Sequence, residues 1–315
     1  MRIIRGFGKV KPLKEGCVAT IGNFDGVHLG HRAVIENLAT HAQGLGLPIL
    51  VILFEPQPLE FFQPSKAPPC LTRFREKIVQ LTKLPVDAVL LLRFNRNFAA
   101  LTAEHFIRDV LVERLHIRHL VVGDDFRFGK GRQGDYRMLS EAGLIHGFTL
   151  EDTPSFEMDG SRVSSTGIRE ALESARLEKA EQWLGRPYSV CGRIIHGNKK
   201  GRSIGFPTAN IQLHRNTLAV QGVFAVTMKG IDNKIVPGVA NVGIRPTVGG
   251  GGEALLEVHL FDFNEDIYGA YVEVFFHRKI RDEMKFASFD ALKKQIGRDA
   301  AKAREIVQTT KNALI

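Results

Sequence analysis

Along the first half of the chain, continuous apolar runs alternate with stretches whose apolar positions recur every three or four residues. The runs at Cys17–Gly22, Pro48–Phe54, Ala88–Arg93, Leu120–Gly123 and Phe148–Glu151 read as strands. Several lack the in–out alternation of a half-exposed sheet, which is what strands covered on both faces show. Helical periodicity fills the intervals at about 31–44, 72–84, 103–115 and 135–146. Strands that alternate with helices predict an α/β doubly wound, Rossmann-like parallel sheet.

The pattern changes after Trp183. Leu184-Gly185-Arg186-Pro187-Tyr188 carries the Gly and Pro of a junction. Beyond it, strand candidates follow one another without helices: Tyr188–Ile195, Val223–Lys229, Ile235–Val242, Leu255–Phe263 and Tyr271–His277. Period-2 alternation in the last two predicts an antiparallel β-barrel. A helical pattern that starts at Phe289 closes the chain. The reading is thus two domains, residues 1–184 and residues 185–315.

Composition narrows the functional classes. The chain has 315 residues, 43 Lys and Arg against 34 Asp and Glu, and a formal charge of +9. Such a balance favours anionic partners. One Trp and four Tyr, with the 21 Phe mostly inside apolar segments, leave no aromatic–basic interleaving for a nucleic-acid groove. Small phosphates are the better expectation, and nucleic acid is not expected. No apolar run reaches the roughly 18–20 residues that span a bilayer, and the N-terminus lacks a leader's apolar core. Cys17, Cys70 and Cys191 form no Cys-x-x-Cys pair. The expectation is a cytoplasmic enzyme with no membrane contact and no obligate protein partner.

The segment Thr20–His31 holds Gly22, Asn23, Phe24, Asp25, Gly26, His28, Gly30 and His31 between the first strand and the first helix. In a doubly wound sheet ligands bind beyond the carboxyl ends of strands. Glycines there admit a phosphate close to the backbone, and a helix start offers free N–H groups. Two histidines three residues apart share one side of the first turn and suit hydrogen bonds to phosphate oxygens. The residues alone also allow a metal pair, or a plain glycine turn carrying two surface histidines.

His28-Leu29-Gly30-His31 resembles the HxGH signature of the nucleotidyltransferase superfamily. That resemblance implies that His28 and His31 polarise nucleotide phosphates during adenylyl transfer. Arg162-Val163-Ser164-Ser165-Thr166-Gly167-Ile168-Arg169 resembles the superfamily's second signature. Ser165 and Thr166 read as N-cap residues of a helix, and Arg162 and Arg169 as phosphate clamps. With Val121–Arg132 added, the set resembles the bacterial flavin adenylyltransferases. The resemblance implies a flavin end near Gly123, Asp125 and Phe126, with Asp25 facing the nucleotide.

In the second half, Gly192–Asn210 contains a basic, glycine-rich loop with Gly197, Lys199, Gly201 and Arg202, then Pro207-Thr208-Ala209-Asn210. Backbone N–H groups of such a loop can cradle phosphates, and Thr208 and Asn210 offer hard oxygens to Mg²⁺. The segment resembles the riboflavin kinase module. That resemblance implies that Glu257 is the general base and Arg281 a flavin-side residue; Val258 stands where Thr is usual. Over nearly the whole chain the order of motifs is similar to the family of bifunctional riboflavin kinase/FAD synthetases. Membership would imply ATP, riboflavin and FMN as substrates, Mg²⁺ as cofactor, and no permanently bound organic cofactor. Two rivals stand beside it: an adenylyltransferase with a passive barrel, and an OB-like nucleic-acid binder.

Overall fold

The apolar run Cys17–Ile21 forms strand β2, in which every residue is buried. It is a central strand of a six-stranded parallel sheet in a computed structural model that describes residues 1–6, 15–153, 155–197, 205–232, 234–246 and 252–312. The chain divides into two compact units. The first comprises Met1–Pro68 and Thr72–Val163; the second comprises Pro69–Leu71 and Ser164–Ile315.

In the first unit the strands are β1 (Arg2–Arg5), β2, β3 (Ile49–Glu55), β4 (Ala88–Arg93), β5 (Ile117–Val122) and β6 (Thr149–Asp152). Their order is β1-β4-β3-β2-β5-β6, with each neighbouring pair parallel. The chain leaves β2 toward β3 on one side and later returns to β5 on the other. The gap beyond the ends of β2 and β5 is therefore the topological switch point, where doubly wound sheets hold ligands. Helix α1 (Leu29–Leu45) covers one face with Val34, Ile35, Leu38 and Ala42 and ends at the left-handed Gly46. Shorter helices α2 (Pro58–Phe62), α3 (Phe74–Leu81) and α4 (Arg96–Ala99) follow, and α5 (Ala103–His105) runs on as a π-helical segment, Phe106–Val112. Helix α6 (Tyr136–His146) lies before β6, and a small hairpin, β7 (Glu157–Met158) and β8 (Ser161–Arg162), comes after it.

The five expected strands are all present. β1 escaped the periodicity because four residues, Arg-Ile-Ile-Arg, carry too little pattern. The helix expected over 103–115 is π-helical for most of its length, a distinction that apolar spacing cannot make.

The second unit begins with α7 (Ser165–Glu173) and α8 (Leu177–Leu184). Its barrel strands are β9 (Ser189–Ile195), β10 (Ala209–Gln212), β11 (Gly222–Ile231), β12 (Lys234–Pro246), β13 (Gly252–Leu260) and β14 (Tyr271–Arg281). They close in the order β10-β13-β12-β11-β14-β9, and every pairing is antiparallel. A closed barrel leaves no unpaired edge. The terminal helix α9 (Phe289–Asn312) packs Ala300, Ala303, Ile306 and Val307 against Val223, Ala225 and Val239 of the barrel wall. β10 was not expected from the sequence, because four residues after a Pro-Thr turn carry little periodicity.

Candidate active sites

The loop from Gly22 to His28 is the sharpest local feature of the first unit. Phe24 and Val27 take positive φ, at 47° and 44°. For a β-branched residue such as Val27 this is an outlier, and each such residue costs on the order of 1–3 kcal/mol. The loop is held there by its buried Asp25. The Thr72 N–H donates to Asp25 Oδ1 at 2.9 Å and the Thr72 hydroxyl does so at 3.3 Å. The Gly26 N–H donates to Thr72 Oγ1 at 2.8 Å. In this structure the Asp25 carboxylate is buried against Thr72, where it anchors the loop. The buried Lys77 donates through Nζ to the Asn23 carbonyl.

His28 caps α1, its Nδ1 accepting the His31 N–H at 3.4 Å. Because Nδ1 is the acceptor, Nε2 carries the proton of the neutral ring. The His28 and His31 rings stack at 3.7 Å, and Phe24 lies 4.7 Å from His31. The His31 Nδ1 is buried with no hydrogen-bond partner. Burial of the ring, then the neighbouring His28 and Lys77, hold the His31 pKa well below its usual value. This buried imidazole nitrogen lies at a helix start on the switch-point rim. Gly30 packs closely here: a Cβ would lie 3.2 Å from the His28 ring and 3.4 Å from the Val163 carbonyl.

On the same rim, Phe126 is half-buried and stacks on Phe128 at 5.6 Å, while Asp125 is exposed. The Phe126 N–H closes a turn onto the Gly123 carbonyl at 3.0 Å. Sequence reading missed an aromatic wall beyond the ends of β3 and β4. Phe54, Phe61, Phe62, Phe94 and Phe98 meet there in centroid contacts of 5.3–6.0 Å, and Phe62 is 61% exposed. The clue was the density of Phe just after two apolar runs. Arg162, in β8, is exposed.

In the second unit the cap of α7 is Ser164, whose Oγ accepts the Gly167 N–H at 3.1 Å. Ser165 and Thr166 are the first helical residues rather than the cap, a one-residue correction to the sequence reading. The cap needs extended backbone, which Ser164 has at φ −144° and ψ 157°. Arg169 is half-buried and donates through Nε to the Pro69 carbonyl at 2.8 Å.

The barrel holds two cavities that share Thr208. The first, of about 480 Å³, is lined by Thr208, Asn210, Glu257, Arg281 and Phe286, with Phe289, Leu292 and Ile296 of α9. Period 2 in β13 buries Leu256, Val258 and Leu260 and turns Glu257 and His259 to this cavity. Across the ladder Glu257 sits opposite Asn210 on one side and Asn241 on the other, so three polar groups form a row. Gly197 backs that row: a Cβ there would fall 2.2 Å from the Asn210 amide nitrogen. Lys199, Gly201 and Arg202 lie outside the described residues. Arg281 is committed to α9. Its Nε and Nη2 donate to the buried Asp299 carboxylate at 2.8–3.1 Å, and Gln295 Nε2 donates to the same group at 2.9 Å. The second cavity, of about 470 Å³, is lined by His196, Phe263, Ile267 and Tyr268, and the His196 and Tyr268 rings lie 3.8 Å apart.

A glycine–histidine loop on a doubly wound sheet, and a barrel whose carboxylate Glu257 lines one of two cavities that share Thr208, define a two-site transferase. Comparison with known proteins gives the family. The FAD synthetase family model matches residues 10–167 and the riboflavin kinase model matches residues 184–307. The bifunctional riboflavin kinase/FMN adenylyltransferase of Escherichia coli K12 is 51% identical over 99% of this chain and 100% of its own length. The Haemophilus influenzae protein of the same name is 51% identical over 96% of this chain and 98% of its own. A solved Streptococcus pneumoniae structure named as a macrolide-efflux protein superposes with a TM-score of 0.78 at 31% identity, over 95% of this chain and 97% of that one. The chain belongs to the bifunctional riboflavin kinase/FMN adenylyltransferase family. Among the described residues no helix is long and apolar enough to cross a membrane.

Proposed function

We propose that the two activities divide between residues 1–184, which adenylylate FMN, and residues 185–315, which phosphorylate riboflavin. The observation that carries the kinase assignment is the 480 Å³ cavity into which Glu257, Thr208 and Asn210 converge. Riboflavin's ring system suits its apolar end, lined by Met284, Phe286, Phe289 and Leu292. The 5′-hydroxyl then reaches the row of polar groups on β10, β13 and β12. ATP suits the second cavity, where His196 and Tyr268 offer flat rings to a purine, and Thr208 is common to both.

Glu257 accepts the hydroxyl proton as oxygen attacks the γ-phosphorus and ADP leaves. Thr208 and Asn210 are the residues that would hold Mg²⁺. The donor set fits, because hydroxyl and amide oxygens are hard ligands and this ion keeps most of its waters. Such an ion would supply charge neutralisation to the phosphates. Gly197 with the basic loop Lys199, Gly201 and Arg202 steadies the phosphate chain. Arg281 contributes by fastening α9, which walls the flavin end.

In the first reaction centre the FMN phosphate attacks the α-phosphorus of ATP and pyrophosphate leaves. The nucleophile is already anionic, so no base is needed; positioning and charge stabilisation supply the rate. His28 Nε2–H and His31 donate to phosphate oxygens. Gly22, Asn23, Phe24, Gly26 and Gly30 shape the loop, and Asp25 holds it. Arg162, Ser165, Thr166 and Arg169 carry over from the family signature as phosphate-binding residues. Gly123, Asp125 and Phe126, with the exposed Phe62, form the flavin side. No nucleic acid, membrane or obligate protein partner enters this scheme. Cys17, Cys70 and Cys191 lie outside any disulfide, which suits a reducing cytoplasm.

The deciding experiment is incubation with riboflavin and MgATP followed by chromatography, with residues 1–184 and 185–315 assayed separately. The full chain forms FMN and then FAD, the first fragment converts FMN to FAD, and the second stops at FMN. If neither fragment is active while the full chain makes FAD, the division is wrong.

A further inference from the structure

We propose that His41, His119 and Glu151 form a binding site for one zinc-class divalent transition cation, on the sheet face covered by α1 and separate from both reaction centres. His41 lies on α1, His119 on β5 and Glu151 on β6, and their ligating atoms are within 4.8 Å of one another. Glu151 Oε2 is 2.9 Å from His41 Nε2 and 3.4 Å from His119 Nε2. Tetrahedral ligands at zinc's usual 2.0–2.1 Å stand about 3.3 Å apart, so these separations already bracket a coordination edge.

Hydrogen bonding around the cluster points the same way. The Thr149 hydroxyl donates to the Arg118 carbonyl at 3.2 Å, so its oxygen accepts from His119 Nδ1 at 2.7 Å. With Thr149 accepting in this way, the ring proton sits on Nδ1 and Nε2 keeps its lone pair; the hydrogen-bond geometry alone also allows the other tautomer, in which Nε2–H faces Glu151. The His119 Nε2 is buried and makes no hydrogen bond, and His119 is only 4% exposed. Its lone pair faces a carboxylate oxygen, also an acceptor. In the Nδ1–H tautomer two acceptors face each other at 3.4 Å, an arrangement that a cation between them relieves. The other carboxylate oxygen, Oε1, is already held by Asn37 Nδ2 at 2.7 Å. Both fixed ligands thus have the outer partners that orient metal ligands.

His41 supplies the third position. Its ring now stacks on His119 at 3.9 Å. Its side chain is 38% exposed, so it is able to turn Nε2 toward an ion while water takes the fourth place. Two imidazoles and one carboxylate suit late first-row divalent ions and not Mg²⁺, which prefers oxygen. His41 is thirteen residues along α1 from His28, about 20 Å at 1.5 Å per residue. The ion would therefore tie α1 to the β5–β6 edge of the sheet rather than touch substrate.

The test titrates the chelator-stripped full chain with Zn²⁺ against a chromophoric competitor, in the absence of nucleotide and with Mg²⁺ present. One equivalent binds. Glu151→Gln and His41→Gln lower the affinity about 100-fold or more, and Asn37→Ala about 10-fold, in line with outer-partner losses of 10–100-fold. His28→Ala with His31→Ala leaves this binding intact. Zinc uptake that is unchanged in His41→Gln and Glu151→Gln, or lost only in the His28/His31 variant, overturns the proposal, as does no uptake at all.

Discussion

The two units place their chemistry on opposite kinds of backbone. In the first unit the candidate groups sit on a loop after a parallel strand, with Phe24 and Val27 forced to positive φ and an inward Asp25 as anchor. In the second, Glu257 sits in mid-strand, its direction fixed by the pleat and its neighbours Asn210 and Asn241 by register. A parallel sheet is buried on both faces, so its strands leave no room for ligands and binding moves to the carboxyl rim. A small barrel fills its interior with alternate side chains and keeps the other face of each strand for use. Loop sites depend on conformational support from elsewhere; strand sites depend on register.

The comparison predicts separable losses. The largest belongs to the strand site. Glu257→Gln keeps size and hydrogen-bonding reach but cannot take the proton, so riboflavin phosphorylation should fall about 10²–10⁴-fold. FMN adenylylation should be unchanged. Wild-type kinase turnover, with chemistry shown to limit it, would falsify the base assignment and leave Glu257 a surface charge.

The loop site comes next. His28→Ala with His31→Ala should cost FAD formation about 2.7–4 kcal/mol in transition-state stabilisation, by analogy with oxyanion donors. Riboflavin phosphorylation in the same preparation should persist. Equal loss of both activities would mean that the variant has damaged the fold rather than a reaction centre.

A smaller effect tests the barrel's dependence on α9. Asp299→Ala removes the acceptor of Arg281 and Gln295. Losing hydrogen bonds to a charged group of this kind costs about 1.5–3 kcal/mol. Denaturant unfolding of the second unit should shift accordingly, and the KM for riboflavin should rise while FMN adenylylation holds. A KM that stays constant would show that α9 does not wall the flavin end.

The smallest effect is shared by both units. Burial lowers the pKa of His277, and burial with His28 and Lys77 lowers that of His31. Each therefore stays neutral in the folded chain at a pH where the unfolded chain takes up a proton. The unfolded state binds more protons below about pH 6.5, so stability is full above that value and declines as pH falls. Urea midpoints measured from pH 7.5 to 5.5 should fall. His277→Gln should flatten the decline in the second unit, and His31→Gln should flatten it in the first. A midpoint that rises on acidification would contradict the direction of both shifts.

The sequence by itself determined five of the six parallel strands, the switch from βα alternation to barrel, and the residues at the start of α1. All of these follow from local periodicity and from glycine and histidine spacing, which the chain carries in short windows. It also placed Glu257 on the face opposite Leu256 and Val258, because period 2 needs no partner strand. It left β1 and β10 unread, since four residues hold too little pattern. It set the α7 cap one residue late among three successive hydroxyl residues, a choice made by backbone angles. Asp25's burial against Thr72, the commitment of Arg281 to Asp299, the aromatic wall around Phe62 and the meeting of His41, His119 and Glu151 were decided only by tertiary structure. In each case the partners lie on separate elements, and only strand order, register and helix packing bring them within hydrogen-bond or van der Waals range.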